Sequence, residues 1–327
     1  MSIISTKKTS LFVSPNETLP TPPTGFIETT DAVIPTPEFT SVDINRLTGK
    51  MNTKDSVVDL CRVKTSFDAK MNMRSNDVGG SALSNPPEYG RLLMCAGFDE
   101  TIDTTTVGQE TVTYSNNNEV MPTVSALVYL DDNKMSMTNS LVCGAKIDMK
   151  IGEPATVTNT FQGYLDDAKG AKEVNPTVTL TEEPILIVSC ADVILLDGTC
   201  LPIESATIAM NEVVADLYTM GGTCGLKKNL ITDYALTLEL GFFVDKDSYG
   251  REASLIESGQ AKAVVIKLGL DKDGNFVNGK SVEIKCDIAK ADKYSDSSNN
   301  DMLSRTLTLR LFDGSSPAVQ IKNGFFI

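Results

Sequence analysis

Short stretches in which apolar and polar residues alternate recur along the whole chain. Ala155–Tyr164 and Tyr234–Phe243 are clear examples, and alternate side chains of a β-strand point to opposite faces of a sheet. Turn-forming residues separate such stretches, among them Asp131-Asp132-Asn133 and Gly152-Glu153-Pro154. The pattern predicts a mainly β fold of antiparallel strands, each with one buried face.

Further strands and two short helices follow from the same kind of pattern. One helix is expected after Pro86-Pro87, closing near Gly97, and the second is expected over Arg251–Ser258. Asp271–Asn275 has the residues of a tight hairpin turn. The other predicted strands are Val63–Met71, Thr111–Tyr114, Ser125–Leu130, Lys134–Met137, Ala145–Ile151, Ala263–Leu268, Val282–Ile288 and Arg305–Phe312.

The chain of 327 residues is long enough for two domains of ordinary size. Residues 1–40 are rich in proline, which favours extended backbone, and are expected to form an arm. This arm is either a linker or a strap that becomes ordered against a neighbouring subunit. The polar, aperiodic stretch Asp166–Pro176 marks a boundary, which divides the remainder into domains at residues 41–172 and 173–327.

The two predicted domains share a short internal similarity. Val193–Leu196, the turn Asp197-Gly198 and Ala206–Met210 follow one another as Val128–Leu130, the acidic turn and Ala145–Met149 do. In both copies Ala, Ile and Met recur at alternate positions. We therefore expect two diverged copies of one unit, that is, two tandem antiparallel β domains with a short helix in each.

The composition removes several classes of chemistry. The chain has no histidine and no tryptophan, which excludes Ser-His and Cys-His dyads. With 29 basic and 43 acidic residues its net charge is −14, the wrong sign for tight binding to phosphate. The seven cysteines form no C-x-x-C pair, so we expect reduced thiols that are mostly buried. No stretch predicts a membrane span or a signal peptide.

The remaining candidates for chemistry are weak. Asp245–Gly250 begins like a calcium loop, but Tyr249 and Ile256 stand where ligands are needed. Gly221-Gly222 lacks the strand-to-helix context of a phosphate loop. Adjacent carboxylates, found at Asp131-Asp132, Asp166-Asp167 and Glu182-Glu183, are typical of solvated turns in so acidic a chain. We therefore predict a non-enzymatic protein with no catalytic, cofactor-binding or metal site.

Two stretches resemble the tail tube (major tail) proteins of long-tailed bacteriophages and prophages. The first is PEYGRLLMCAGF at Pro87–Phe98, which is similar to a proline-led helix of that family. The second is Ser125–Tyr164, which resembles the family's acidic-turn hairpin, glycine-glutamate-proline break and closing strand with Phe161 and Gly163. The resemblance covers roughly residues 55–165 well and the second half less closely.

The resemblance implies a β-sandwich or barrel-like tube domain whose strands join those of its neighbours in a ring. A duplicated chain would form trimeric rings and a single-domain chain hexameric ones; the rings would stack into a tube through which DNA passes. The implied partners are other copies of this chain, a tape-measure protein, a baseplate hub, a tail terminator and, in a contractile tail only, a sheath protein. The implied location is the virion tail, assembled in the host cytoplasm. The lumen-facing candidates are Lys146, Asp148 and Lys150, with Ile147 and Met149 facing the core.

Other functions stay open at this point. A tail terminator or the inner tube of a contractile tail or secretion apparatus would differ in partners more than in sequence. A β-sandwich that binds carbohydrates or cell surfaces would have few aromatic rings to use, since only 6% of residues are aromatic. An enzyme would have to act through carboxylate, cysteine or lysine side chains.

Overall fold

The computed structural model describes residues 8–45, 54–74, 86–105, 110–116, 121–167, 170–178, 180, 185–218, 226–246, 249–277, 279–299, 301–314 and 316–324. Within these residues the regular structure consists of eighteen strands and two helices, and the strand pairings are antiparallel. The predicted mainly β, antiparallel fold is confirmed.

The elements are β1 (Thr9–Ser14), β2 (Phe26–Ile27), β3 (Glu38–Asn45), β4 (Lys54–Asn72), α1 (Tyr89–Cys95), β5 (Phe98–Asp103), β6 (Thr111–Asn116), β7 (Val124–Leu130), β8 (Asn133–Lys150), β9 (Thr156–Leu165), β10 (Ala171–Lys172), β11 (Val193–Leu196), β12 (Thr199–Cys200), β13 (Ile203–Tyr218), β14 (Leu226–Phe243), α2 (Arg251–Ser258), β15 (Lys262–Leu268), β16 (Val282–Asn299), β17 (Met302–Leu311) and β18 (Gln320–Gly324).

Both predicted helices are present. In α1, the residues Tyr89, Leu92 and Leu93 are buried, which is the i, i+3, i+4 spacing of one helix face. The chain leaves this helix through Gly97 with φ 84°, a conformation that glycine adopts without steric cost. The helix α2 spans the predicted residues and ends at Gly259, which is left-handed with φ 59°.

Eight strands form one continuous sheet, which we call the main sheet. Its order is β3, β4, β9, β8, β13, β14, β17 and β16, and each neighbouring pair is antiparallel. The alternation seen in the sequence gives this sheet one apolar face, which packs on the hydrophobic core, and one polar face. The main sheet is thus the common scaffold of both halves of the chain.

The main sheet contains two units with the same chain order. In each unit a hairpin is followed by a helix and then by a second hairpin: β3–β4, α1 and β8–β9 in the first unit, and β13–β14, α2 and β16–β17 in the second. In both units the second strands of the two hairpins pair with each other. The strand order therefore repeats, while the domain limits at residues 40 and 172 stay predictions.

The internal similarity found in the sequence does not mark equivalent strands of the two units. Ala145–Met149 lies in β8 and Ala206–Met210 lies in β13, and these two segments pair directly with each other, Ile147 opposite Ile208. β8 begins the later hairpin of its unit, whereas β13 begins the earlier hairpin of its own. The alignment of the two copies was therefore wrong. The shared pattern instead reflects two strands that cover the same part of the core.

Additional strands close the core on its other side. β7 pairs with β1 and β8, β15 pairs with β11 and β16, and β18 joins the units because it pairs with both β6 and β16. β1 belongs to the segment that was expected to be an extended arm, but its Leu11, Phe12 and Val13 are buried. Part of the predicted arm is therefore a core strand, because its three consecutive apolar residues pack on β7 and the residues around it.

Several strands are longer than the sequence predicted. Lys134–Met137 and Ala145–Ile151 were predicted as separate strands, but β8 runs through both, with register shifts between Thr138 and Leu141 and between Val142 and Gly144. Such bulges break the period-two pattern without ending the strand. In the same way β16 continues to Asn299, well past the predicted end at Ile288.

The two ends of the main sheet differ. Pairings between Lys150 and Ser205, Ser205 and Gly241, and Gly241 and Thr306 place these four residues in one row across the sheet. The β8–β9 and β16–β17 turns lie beyond this row, so we call this side the turn end. We call the opposite side the arm end.

The two hairpins β3–β4 and β13–β14 extend at the arm end. β9 pairs with β4 from Lys64 to Asn72, and β3 pairs with the rest of β4. In the second unit, Glu212–Tyr218 and Leu226–Tyr234 pair with each other beyond the stretches that β8 and β17 contact, within the described residues. We call this hairpin segment the second arm, because it belongs to the second unit; it is distinct from the predicted N-terminal arm of residues 1–40. Among the described residues, no helix is long and apolar enough to cross a membrane.

Candidate assembly surfaces

The polar face of the main sheet contains the three residues predicted to face a lumen. Ile147 and Met149 of β8 are buried, as predicted, whereas the side chains of Lys146 and Lys150 are about half exposed on the opposite face. The side chain of Asp148 is 35% exposed on that face. That this face lines a channel stays a prediction.

These three residues do not form one cluster. Lys146 Nζ lies 2.9 Å from Asp148 Oδ1, and Thr207 Oγ1 of β13 donates a hydrogen bond of 2.8 Å to the same oxygen. Lys150 Nζ instead lies 2.6 Å from Glu153 Oε1 in the following turn, and this hydrogen bond and charge raise the pKa of Lys150. Asp148 therefore connects β8 to β13, whereas Lys150 stabilises the turn locally.

The polar face carries acidic, basic and hydroxyl side chains side by side. Three of its basic residues are paired with carboxylates, Lys146 with Asp148, Lys150 with Glu153 and Arg310 with Asp292. The polar face therefore offers phosphate groups little unpaired positive charge to bind. Its described members include Lys64, Asp68, Lys70, Lys146, Asp148, Lys150, Thr158, Thr160, Thr207, Thr237, Glu239, Thr308 and Arg310.

One outer edge of the main sheet is the distal half of β16. β17 pairs with this strand from Ala289 to Asn299, and no strand in the described part of the chain pairs with the other edge of residues 290–299. Most of these residues are exposed. An unpaired strand edge presents backbone donors and acceptors that another chain can complete.

The opposite outer edge consists of residues 28–37 and β3. This stretch runs beside β4, where the Thr30 backbone N–H donates to the carbonyl of Lys70 at 2.8 Å. It carries two prolines, Pro35 and Pro37, which are tolerated at sheet edges because they lack an N–H. The edge also exposes Ile34, at 48%. It occupies the place beside β4 that the start of β13 occupies beside β14.

A buried ion cluster lies beneath the β16 edge. Arg305 of β17 is 1% exposed; its Nε and Nη2 donate to the two carboxylate oxygens of Asp296 on β16 at 2.6 and 2.9 Å. Its Nη1 donates to Glu252 Oε2 of α2 at 2.8 Å and to the Tyr249 carbonyl at 2.9 Å. One guanidinium thus connects β16, β17 and α2, and we call this set the Arg305 cluster.

The Arg305 cluster also contains two aromatic contacts. The guanidinium carbon lies 4.3 Å from the ring centre of Tyr294 and 5.2 Å from that of Tyr249, distances that allow cation–π attraction. Hydrogen bonds from Arg305 lower the pKa of Asp296, while bonds to Asp296 and Glu252 raise the pKa of Arg305. A signal for this cluster is present in the sequence, because Arg305 lies at the same alternate positions of the strand as Leu307 and Leu309 and so faces the core. Arg305 was nevertheless not among the predicted site residues.

In the first unit a neutral residue connects strand and helix as Arg305 does in the second unit. Asn159 of β9 is fully buried and its Nδ2 donates to the Leu92 carbonyl of α1 at 2.6 Å. In both units, therefore, a polar side chain on the core face connects the last strand of the second hairpin to the preceding helix. Only the second unit does so with a charged residue that also binds the edge strand.

Glu212 is a partly buried acid that sequence reasoning missed. It lies on the core-facing side of β13, two residues after buried Met210, at the base of the second arm. Both carboxylate oxygens are inaccessible to solvent, and neither has a hydrogen-bond partner among the described residues. Burial raises the pKa of Glu212 to about 8. The pKa of the nearby Cys143 is raised by burial first and by the charge of Glu212 second.

Glu212 makes stability depend on pH in a defined direction. Because the folded pKa exceeds that of an unfolded glutamate, folded chains hold the proton more tightly, and the free energy of unfolding falls as pH rises from about 4.5 to about 8. We expect Glu212→Gln to abolish this fall, leaving the variant more stable than the wild type at pH 9 by at most about 5 kcal/mol. Urea unfolding of both proteins at pH 5 and pH 9 measures this difference in the free energy of unfolding. An equal pH dependence in both proteins would refute the assignment.

The acidic candidates from the sequence are not brought together into a site. Asp131 forms a turn with φ 57° and contacts Lys8, while Asp166 accepts a hydrogen bond from Thr138 Oγ1. Glu182-Glu183 and Gly221-Gly222 lie outside the described residues. Within the described part, no group of three or more acidic or cysteine side chains could hold a metal ion. The possible calcium loop contributes Tyr249 to the Arg305 cluster instead.

The cysteines differ from the expectation of mostly buried thiols. Cys95 and Cys286 are buried, and burial raises the pKa of each to about 12, so both stay protonated at neutral pH. Cys190 and Cys200 are exposed, and Cys143 is intermediate. The side chains of Cys61 and Cys224 lie outside the described part. Cys190 precedes β11 and Cys200 ends β12, so both belong to the region of this short hairpin rather than to a core strand.

Comparison with known proteins adds no further identification. No protein-family model matches this chain, and a search of curated proteins finds no match.

Proposed function

We propose that this chain is a structural subunit of a bacteriophage tail tube, in which rings of the protein stack around a channel for DNA. The observation that carries the proposal is the junction between β8 and β13. There, the two units of one chain join edge to edge through seven residue pairs, Ser205 opposite Lys150 to Asn211 opposite Gly144. Each chain therefore contains one complete example of the contact that ring formation requires.

The outer edges of the main sheet can repeat this junction between chains. The distal part of β16 has the same position in the second unit that β8 has in the first unit. Residues 28–37 have the same position in the first unit that the start of β13 has in the second unit. Pairing β16 of one copy with the 28–37 edge of the next would continue the sheet without changing its order. With two units in each chain, three copies would give a closed ring of six units.

The side chains at the two edges suit this contact. Ile34 and Phe39 are about half exposed at one edge, and Tyr294 is 40% exposed at the other, so their apolar surface would be covered on pairing. The prolines at residues 35 and 37 remove donors from the first edge, which restricts the pairings it can form. Directional pairing of this kind favours rings over aggregates.

The proposal includes the partners and location that a tail tube requires. The rings would contact a tape-measure protein, a baseplate hub and a tail terminator, and a sheath protein only in a contractile tail. DNA would pass the mixed polar face without being held. The chain would act without catalysis, cofactor or metal, in the virion tail, after assembly in the host cytoplasm.

Negative-stain electron microscopy of the purified protein at rising concentration tests the proposal. We expect rings of constant bore with threefold symmetry that stack into tubes. Compact monomers at every concentration, also after addition of a preformed tail tip, would contradict it.

A proline substitution at the free edge tests the ring contact itself. The Val244 N–H donates to the Leu303 carbonyl at 3.0 Å, so Leu303 turns its polar backbone groups toward β14. Ser298 lies opposite Leu303, and in an antiparallel ladder its own N–H then points away from β17. Ser298→Pro should therefore leave the hairpin paired but prevent rings, whereas Ser298→Ala keeps the N–H and should form rings. Rings formed equally by both variants would refute the edge contact.

A further inference from the structure

The distal part of β16 is an edge strand without support from the apolar core. None of residues 290–299, all of which the structure describes, is buried. By contrast, Ile147 and Met149 of β8, the corresponding strand of the first unit, are buried. β17 pairs with one side of the distal segment. Backbone pairing on one side, without buried side chains, leaves a segment prone to local opening.

Two side chains of the distal segment contact buried Arg305. Asp296 accepts hydrogen bonds from Arg305 Nε at 2.6 Å and from Nη2 at 2.9 Å, and the ring centre of Tyr294 lies 4.3 Å from the guanidinium carbon. The side chain of Arg305 is 1% exposed and that of Asp296 is 31% exposed. A bidentate pair of this kind fixes orientation as well as distance. Arg305 therefore holds the segment from its core side.

A bulge in β16 turns these two side chains toward Arg305. The pairing with β17 shifts register between Ala291 and Lys293, so Asp292 is the extra residue. An extra residue reverses which alternate positions face the core. The core-facing pairs on the two sides of the bulge are Ala291 with Leu309, Tyr294 with Leu307 and Asp296 with Arg305. Without the bulge, Tyr294 and Asp296 would lie on the polar face and could not reach the guanidinium.

The charged pair coincides with the open edge of the sheet. In the first unit the polar link from strand to helix is Asn159, whose amide donates to α1. There β8 pairs with β9 on one side and with β13 on the other. Arg305 thus occurs in the unit whose corresponding strand pairs with β17 on one side along residues 290–299, within the described part of the chain.

We propose that Arg305 is a positioning residue for the ring contact. Through Asp296 and Tyr294 it holds the distal part of β16 in the extended shape with which the 28–37 edge of another copy can pair. This inference rests on the proposed tail-tube function. An edge that is already ordered loses less conformational entropy on association, so rings form at lower protein concentration.

Asp296→Ala tests this role, because it removes the bidentate pair while Arg305 keeps its bonds to Glu252 and to the Tyr249 carbonyl. Asp292→Ala is the matched control, since it also removes one carboxylate from the edge strand, but one whose partner Arg310 is 58% exposed. Sedimentation velocity measures the concentration at which rings form. Hydrogen exchange of the monomer measures opening of residues 293–299, and urea unfolding measures overall stability.

We expect Asp296→Ala to need at least about tenfold more protein than the wild type to form rings. In its monomer the amides of residues 293–299 should exchange at least about tenfold faster, while amides of the core strands keep their wild-type rates. Asp292→Ala should change either quantity by less than about twofold. Asp296→Asn, which keeps one acceptor oxygen, should lie between these two variants.

Rings formed by Asp296→Ala at the wild-type concentration would overturn the positioning role and leave the tail-tube proposal intact. Exchange that rises equally throughout the chain, with a lower urea midpoint, would also overturn it, because Asp296 would then act on overall stability alone. Failure of the wild type to form rings would instead overturn the tail-tube proposal, and the positioning role with it.

Discussion

Arg305→Met should lower the free energy of unfolding by about 3–5 kcal/mol. The methionine would occupy much of the same space, but Glu252, which is 1% exposed, would lose its buried ion-pair partner and keep only the 39% exposed Arg251 on its other oxygen. Asp296 on the edge strand would lose two hydrogen bonds. Chemical denaturation followed by circular dichroism at pH 7 measures the change.

Arg310→Met is the matched control for this substitution. Arg310 lies on the same strand and its Nε is 3.2 Å from Asp292 Oδ2, but its side chain is 58% exposed, so its loss should cost less than about 1 kcal/mol. The double variant Arg305→Met with Glu252→Gln should recover part of the stability, because a neutral amide replaces the buried carboxylate that has lost Arg305. If Arg305→Met costs no more than Arg310→Met, the Arg305 cluster does not stabilise the fold.

Gly90→Ala should also destabilise the protein strongly, by about 2–4 kcal/mol. Gly90 lies in α1, and a Cβ at this position would overlap the hydroxyl and ring of Tyr114. Tyr114 cannot move aside easily, because it is fully buried and its hydroxyl donates to Glu100 Oε2 at 2.9 Å. Thermal or denaturant unfolding of the purified variant measures the effect, which outweighs the small gain in helix propensity from alanine.

Gly144→Ala is the control for added volume alone. A Cβ at Gly144 would meet Thr160 Oγ1 at 3.7 Å, which is ordinary van der Waals contact. The free energy of unfolding of Gly144→Ala should stay within about 0.5 kcal/mol of that of the wild type. Equal stability of the two alanine variants would show that α1 packs less tightly against Tyr114 than the overlap at Gly90 implies.

Local features of the fold were predictable from the sequence. Period-two alternation identified the buried parts of β9 and β14, because a strand with one buried face must alternate. The two helices were also predicted, since a proline opens the first and glycines follow both. For the candidate site, the alternation of Ile147 and Met149 with Lys146 and Lys150 was predicted correctly.

Features without a local signature were missed. The distal part of β16, Lys290–Asn299, is polar on both faces, so no alternation indicated a strand. β1 was hidden by the prolines that follow it, although Leu11, Phe12 and Val13 pack in the core. Glu212 and Arg305 looked like surface charges, because burial of a charged group depends on partners that lie elsewhere in the chain.

The sequence by itself determined where strands, turns and helices form and which side chains of each strand are apolar, because these properties depend on residues close together in the chain. Only the tertiary structure decided which strands are neighbours, which edges stay open and which charges are buried. Ile147 meets Ile208, and Arg305 meets Glu252, across separations of 61 and 53 residues. Alternation is satisfied equally by many pairings, so the choice among them is made by the packing of the whole core.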